Sequence, residues 1–128
     1  MNVPLSILSV EDSSTMQFLI TSIFGNSYQV SCVKDGESAL EWLKSGNKVD
    51  LIITDLKMPG ISGYELLTIL KEDSNYASIP VIVLSSVSDS PDKIKLLRAG
   101  ADDYVEKPFN PEELFLRVAN ILRRTSNH

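Results

Sequence analysis

Apolar residues in this chain gather in five short runs: LSILSV at 5–10, YQVSCV at 28–33, DLIIT at 50–54, IPVIVLS at 79–85 and DYVEK at 103–107. Between them, apolar positions recur every three or four residues, the period of a helix with one buried face. Short strands alternating with helices predict a parallel α/β sheet covered on both sides, with five strands and five helices in one domain over 1–128. The helix ends carry their own signals. Ser14 with Gln17 reads as a capping box, followed by Met16, Leu19, Ile20, Ile23 and Phe24 on one face. Asp35 and Gly46 bracket the second helix, with Leu40 and Leu43 inward, and GYELLTILKED supplies the third. Ser90-Pro91 is expected to open the fourth helix, which closes at Gly100. Asn110-Pro111 opens the fifth, with Glu112 and Glu113 in its first turn and Arg123 and Arg124 in its last.

Composition narrows the function classes. The one cysteine, Cys32, lies in an apolar-leaning run and is expected to be a small buried hydrophobe; alone, it permits no disulfide within the chain. The segment MNVPLSILSVED has no basic n-region and meets two acids by position 12, so neither a signal peptide nor an anchor is expected. No apolar run approaches the roughly 18 residues of a spanning helix. The expectation is a soluble, cytoplasmic chain with no membrane partner. A net charge of −5, with Arg123-Arg124 the only basic cluster, opposes a phosphate backbone, so direct nucleic-acid binding is not expected.

The polar residues then fall into place. Glu11 and Asp12 follow the first strand, Asp55 ends the third, Ser85 and Ser86 end the fourth and Lys107 ends the fifth. All are carboxyl ends. In a doubly wound, flavodoxin-like sheet of order 2-1-3-4-5, ligands bind outside those ends at the switch point between strands one and three. Singly, each residue has a plainer reading: an acid caps the next helix, a serine makes a turn, a lysine is solvated. Together they make a crevice with complementary chemistry. Two carboxylates about 4 Å apart repel by roughly 4 kcal/mol at an effective dielectric of 20, so three of them call for a cation. An oxygen-only donor set suits Mg2+, which keeps several waters and accepts a phosphate oxygen. A lysine and a serine hydroxyl would hold further phosphoryl oxygens, and no base stands ready to activate water. Asp55 itself is then the plausible nucleophile, forming an aspartyl phosphate.

SVEDS after the first strand, TDLKMPGISG around Asp55, VLSS at the fourth strand and GADDYVEKPFNPEEL at the fifth resemble the receiver domain of bacterial response regulators over essentially the whole chain. The resemblance implies a phosphorylation-driven switch of a two-component system. Asp55 would accept a phosphoryl group from the phosphohistidine of a sensor histidine kinase or phosphotransfer protein, and Glu11, Asp12, Asp55 and the backbone carbonyl of Lys57 would hold Mg2+. Lys107 would contact the phosphoryl group, its bond to Pro108 would be cis, and Ser85 would report phosphorylation by shifting towards it. Tyr104 would then turn inwards and remodel the face of the fourth helix, fifth strand and fifth helix; its plainer reading is a half-buried strand aromatic. On this view the chain is a phosphoacceptor that promotes its own phosphorylation and dephosphorylation, not an enzyme acting on other molecules.

The same face resembles the charge pattern through which winged-helix transcription regulators pair their receivers. Lys93, Asp102, Asp103, Glu113, Arg117 and Arg124 would form it, with Lys93 matched to Glu113 and Asp103 to Arg117 across a two-fold axis. Arg98 departs from that pattern, and a solvated charged face is the alternative. Two further departures are Lys57, whose charge would alter the lifetime of the aspartyl phosphate, and Ser62-Gly63, where an acid or amide often precedes the glycine and little consequence is expected. Other classes share parts of this kit. A flavin binder of the same fold needs a hydroxyl- and glycine-rich phosphate loop where this chain has SVEDSS. A Mg2+-dependent aspartyl-phosphate hydrolase of the haloacid dehalogenase type resembles D-x-D after the first strand, absent here. A phosphate-independent docking receiver is the third alternative.

Overall fold

The computed structural model describes residues 4–86 and 92–126. Strands and helices alternate: β1 (Ser6–Val10), α1 (Ser14–Phe24), β2 (Gln29–Val33), α2 (Gly36–Lys44), β3 (Leu51–Asp55), α3 (Gly63–Glu72), β4 (Val81–Ser86), α4 (Lys93–Arg98), β5 (Asp103–Lys107) and α5 (Pro111–Ser126). The strands form one parallel sheet in the order β2-β1-β3-β4-β5, the expected flavodoxin-like arrangement.

Successive strand residues point to opposite faces, and both faces here are buried. Leu8, Ile52, Val81 and Val83 join Leu43, Leu66, Leu67, Leu70 and Leu96 beneath α2, α3 and α4. Ile7, Leu51, Ile53, Ile82 and Leu84 join Ile20, Phe24, Leu114, Val118 and Ile121 beneath α1 and α5. Each such side chain stabilises the fold by roughly 1.5–3 kcal/mol, which is why the central strands read as continuous apolar runs. Register then aligns the strand ends. Val10 pairs with Thr54, Asp55 with Leu84, and Ser86 with Lys107, so residues just past β1 and at the ends of β3 and β5 share one edge.

Two local expectations change. Cys32 is exposed, not buried. Because β2 is an edge strand paired only with β1, helices cover it incompletely, and the Cys32 sulfur lies 3.7 Å from the Thr21 hydroxyl at the surface. The cap of α1 is Ser13, whose hydroxyl accepts from the Met16 N–H at 3.3 Å, so Ser14 and Gln17 make no capping box. A capping box does close α3, where Ser62 and Glu65 bond reciprocally at 3.1 and 2.9 Å. Serine there caps as an acid or amide would. Ser90-Pro91 lies outside the described residues; α4 follows Asp92 and closes at Gly100.

Gly63 has no room for a side chain. A Cβ there would stand 2.3 Å from the Asp55 carbonyl oxygen and 2.9 Å from the Leu56 Cα, both backbone atoms that cannot swing aside. Gly63→Ala is therefore expected to destabilise the fold towards the upper end of the roughly 1–3 kcal/mol typical of overpacking, read as a lower urea midpoint at unchanged m-value.

Candidate functional site

The first helix begins three residues after Glu11, so the chain must turn sharply as it leaves β1, and its polar groups are used in making that turn. The Glu11 N–H donates to the Val33 carbonyl at 3.0 Å, continuing the β1–β2 ladder by one rung. Its carboxylate Oε2 accepts from the Ser13 N–H at 2.9 Å. The other oxygen, Oε1, is buried without a hydrogen-bond partner among the described residues and lies 4.0 Å from the Lys107 ammonium. Asp55, at the end of β3, is only 7% exposed. Its carboxylate pairs directly with the Lys107 ammonium, and the Thr54 hydroxyl donates to its backbone carbonyl at 3.0 Å.

Glu11, Asp12 and Asp55 each bring a carboxylate oxygen within 4.8 Å of the other two. Glu11 and Asp55 are buried and Asp12 is exposed, and like charges this close, two of them buried, cannot all be ionised cheaply. The Glu11 carboxyl is raised from an ordinary 4.5 to about 7, chiefly by burial and also by the Asp55 charge, against the opposing pull of the Ser13 N–H and Lys107. Oxygen donors on converging backbones, one of them buried and unsatisfied, fit a hard divalent cation.

The other expected residues are distributed as follows. Ser85 is buried at the end of β4, one residue beyond the partner of Asp55, and its hydroxyl donates to the Ser86 carbonyl at 3.3 Å. Lys107–Pro108 is cis. Lys57 is exposed and lines a cleft of about 160 Å³ with Tyr64, Asp92 and Lys95. Tyr104 is already inward, packed in the core with Leu96 and Ala101, and among the described residues its buried hydroxyl has no hydrogen-bond partner. Lys93 lies 6.0 Å from the Tyr104 ring. Of the six charged residues proposed for a dimer face, Lys93, Glu113 and Arg117 line one cleft of about 280 Å³. Within the chain Arg117 bonds Asp103 at 2.9 Å and Glu113 at 2.8 Å. Asp102 is not brought to them: its carboxylate accepts from the Val81 N–H at 2.9 Å, at the opposite end of β4. Arg124 lies two turns along α5 from Arg117, donating to the Asn120 carbonyl at 3.4 Å.

Two features escaped the sequence reading. The Gln17 side-chain amide donates to the Glu11 carbonyl at 2.6 Å, a contact hidden because Gln17 was assigned to a cap. Phe18 is 75% exposed on α1; its position off the periodic apolar face was the available signal.

The family model for the response regulator receiver domain matches residues 7–119. The chain belongs to this family. It is 40% identical over 116 residues to the sensor histidine kinase TmoS of Ectopseudomonas mendocina, covering 91% of this chain but 12% of that protein. It is 39% identical over 118 residues to the two-component response regulator ORR5 of Oryza sativa subsp. japonica, covering 91% of this chain and 88% of that one. Among solved structures, the signal receiver domain of a histidine kinase from Syntrophus aciditrophicus superposes with a TM-score of 0.88 at 36% identity, covering 96% of this chain and 93% of the other. This receiver domain is thus homologous to phosphoacceptor domains found both in histidine kinases and in response regulators, which interact with histidine kinases or phosphotransfer proteins. Family membership sets aside the flavin and haloacid dehalogenase readings. Receiver domains generally bind Mg2+ at an acidic cluster, and this one has such a cluster. Among the described residues no helix is long and apolar enough to cross a membrane.

The raised Glu11 value has a consequence for stability. Between about 4.5 and 7 the folded receiver holds a proton that the unfolded chain has released. This contribution favours folding fully below about 4.5 and disappears as pH rises through about 7. Metal-free protein should therefore lose melting temperature from about pH 5 to pH 8, and Glu11→Gln should flatten that slope. An equal slope in the variant would assign it to another group.

Proposed function

We propose that this receiver accepts a phosphoryl group on Asp55 from a phosphohistidine of a sensor histidine kinase or phosphotransfer protein. The observation that carries the proposal is the acid cluster itself: Asp55 meets Glu11 and Asp12 within 4.8 Å while its carboxylate is paired with Lys107. Glu11, Asp12, Asp55 and the Lys57 backbone carbonyl would hold Mg2+, whose charge neutralises carboxylate and phosphoryl oxygens together. The Asp55 carboxylate oxygen attacks phosphorus, the phosphorus–nitrogen bond breaks, and the imidazole leaves with a proton. Lys107 moves its charge from the carboxylate to a phosphoryl oxygen, and the Ser85 hydroxyl reorients from the Ser86 carbonyl to another. Hydrolysis by water returns the carboxylate and phosphate, so the domain resets its own state and is not an enzyme for other substrates.

Phosphorylation adds about 1.5 to 2 negative charges at the edge of a buried sheet. Tyr104, already inward here, supports a pre-existing equilibrium that the phosphoryl group biases through Ser85. Homodimerisation through Lys93, Asp103, Glu113, Arg117 and Arg124 would require Arg117 to exchange its partners within the chain for partners across the two-fold axis. We assign the domain to the cytoplasm, where kinase partners present their phosphohistidines, with no direct nucleic-acid binding, in keeping with its net charge of −5.

Incubation with acetyl phosphate and Mg2+ should add the mass of one phosphoryl group, and Asp55→Asn should abolish the gain; a gain retained in Asp55→Asn would move the acceptor elsewhere. Without phosphodonor, millimolar Mg2+ should raise the melting temperature of the wild type, because it binds the folded state and relieves the carboxylate repulsion. The rise should be much smaller in Asp12→Ala, and equal rises would displace the metal site.

A further inference from the structure

The Glu11–Asp12 peptide joins two of the three carboxylates, so its orientation decides where both point. A peptide unit is planar, and holding its carbonyl fixes the rotation of the residue on either side. That carbonyl is held by the Gln17 side-chain amide at 2.6 Å. The contact is not needed to start α1. Ser13 already caps the helix through the Met16 N–H, and the Gln17 N–H makes the first helical bond, to the Ser13 carbonyl at 2.9 Å. The amide is therefore available for the loop that precedes the helix, and Gln17 is half-buried, which shields the bond from water.

The remaining contacts of Glu11 show what the bond accomplishes. Its N–H is tied to the Val33 carbonyl and Oε2 to the Ser13 N–H. With the carbonyl tied to Gln17, the Glu11 polar atom left without a hydrogen-bond partner among the described residues is Oε1, which lies in the crevice beside Asp55 and Lys107. A carboxylate oxygen left unsatisfied and buried costs free energy unless something binds it, and its surroundings hold it in place to be bound. The Glu11 turn is thus anchored at three points, one of them supplied by a residue that touches neither of the other carboxylates.

We propose that Gln17 is a positioning residue for the divalent-cation site: by pinning the Glu11–Asp12 peptide, its amide presets the Glu11 and Asp12 carboxylates for the metal. This rests on the metal-site reading given above. The chemistry required is a neutral N–H donor at the reach of the glutamine amide. Charge at position 17 is not needed, and bulk alone does not suffice.

The test compares Gln17→Met, which keeps length and neutrality but has no donor, with Gln17→His at about pH 8, where a neutral imidazole offers an N–H at similar reach. Mg2+ binding is measured by calorimetry, and phosphorylation by acetyl phosphate is followed across Mg2+ concentrations. Loss of an outer partner typically weakens a metal site by 10–100-fold, so Gln17→Met should bind Mg2+ about tenfold more weakly. Gln17→His should return affinity to near the wild-type value. At saturating Mg2+ the phosphorylation rate should be close to wild type in both variants, because the defect lies in metal affinity and the acceptor is intact. Wild-type affinity in Gln17→Met, or equal weakening in both variants, would overturn the assignment. A wild type that binds no Mg2+ would overturn the metal-site reading, and the role of Gln17 with it.

Discussion

Repulsion among three carboxylates held at one edge of the sheet is the constraint on which this receiver turns. Glu11, Asp12 and Asp55 converge within 4.8 Å because two parallel strands deliver them side by side. In water such groups would separate. Here β1 and β3 are locked by their register and by apolar side chains on both faces, so the groups respond chemically: burial, with the Asp55 charge adding to it, raises the proton affinity of Glu11, Lys107 leans on Asp55, and a divalent cation fits among the oxygens. Each of these responses is reversible, and such a site suits a signal that must be written and erased.

The rest of the fold keeps that edge rigid. Two apolar layers, one under α2, α3 and α4 and the other under α1 and α5, hold the central strands from both sides. The backbone around the acceptor is held as closely. Gly63 passes so near the Asp55 carbonyl that no side chain fits, the Thr54 hydroxyl bonds that same carbonyl, and Gln17 bonds the carbonyl of Glu11. Groups that would carry the phosphoryl group are exposed to repulsion and ligands, whereas the groups that place them are backbone and neutral side chains.

The opposite side of the switch is built differently. Tyr104 is buried with a hydroxyl that has no hydrogen-bond partner among the described residues, and α4 is short, with Ile94 and Leu97 exposed on it. Arg117 meanwhile satisfies Asp103 and Glu113 within the chain.

The order of strands, the position of Asp55 at a strand end and the acid pair after β1 were legible in the chain because they depend on local periodicity and on the geometry common to parallel α/β sheets. Central strands flanked on both sides must be apolar throughout, and the few polar residues at their ends stand out. What periodicity could not decide were features set by neighbours distant in sequence. Cys32 looked buried, but an edge strand has one paired side and partial cover. Asp102 looked like part of a charged face, but the start of β4 claims its carboxylate. Gln17 looked like half of a cap, yet its amide reaches back to Glu11. By itself, then, the sequence determined which residues carry the chemistry and roughly where they gather. Only the tertiary structure decided their protonation, their partners and their braces, because those depend on burial and on contacts within a few ångströms between segments the chain brings together only on folding.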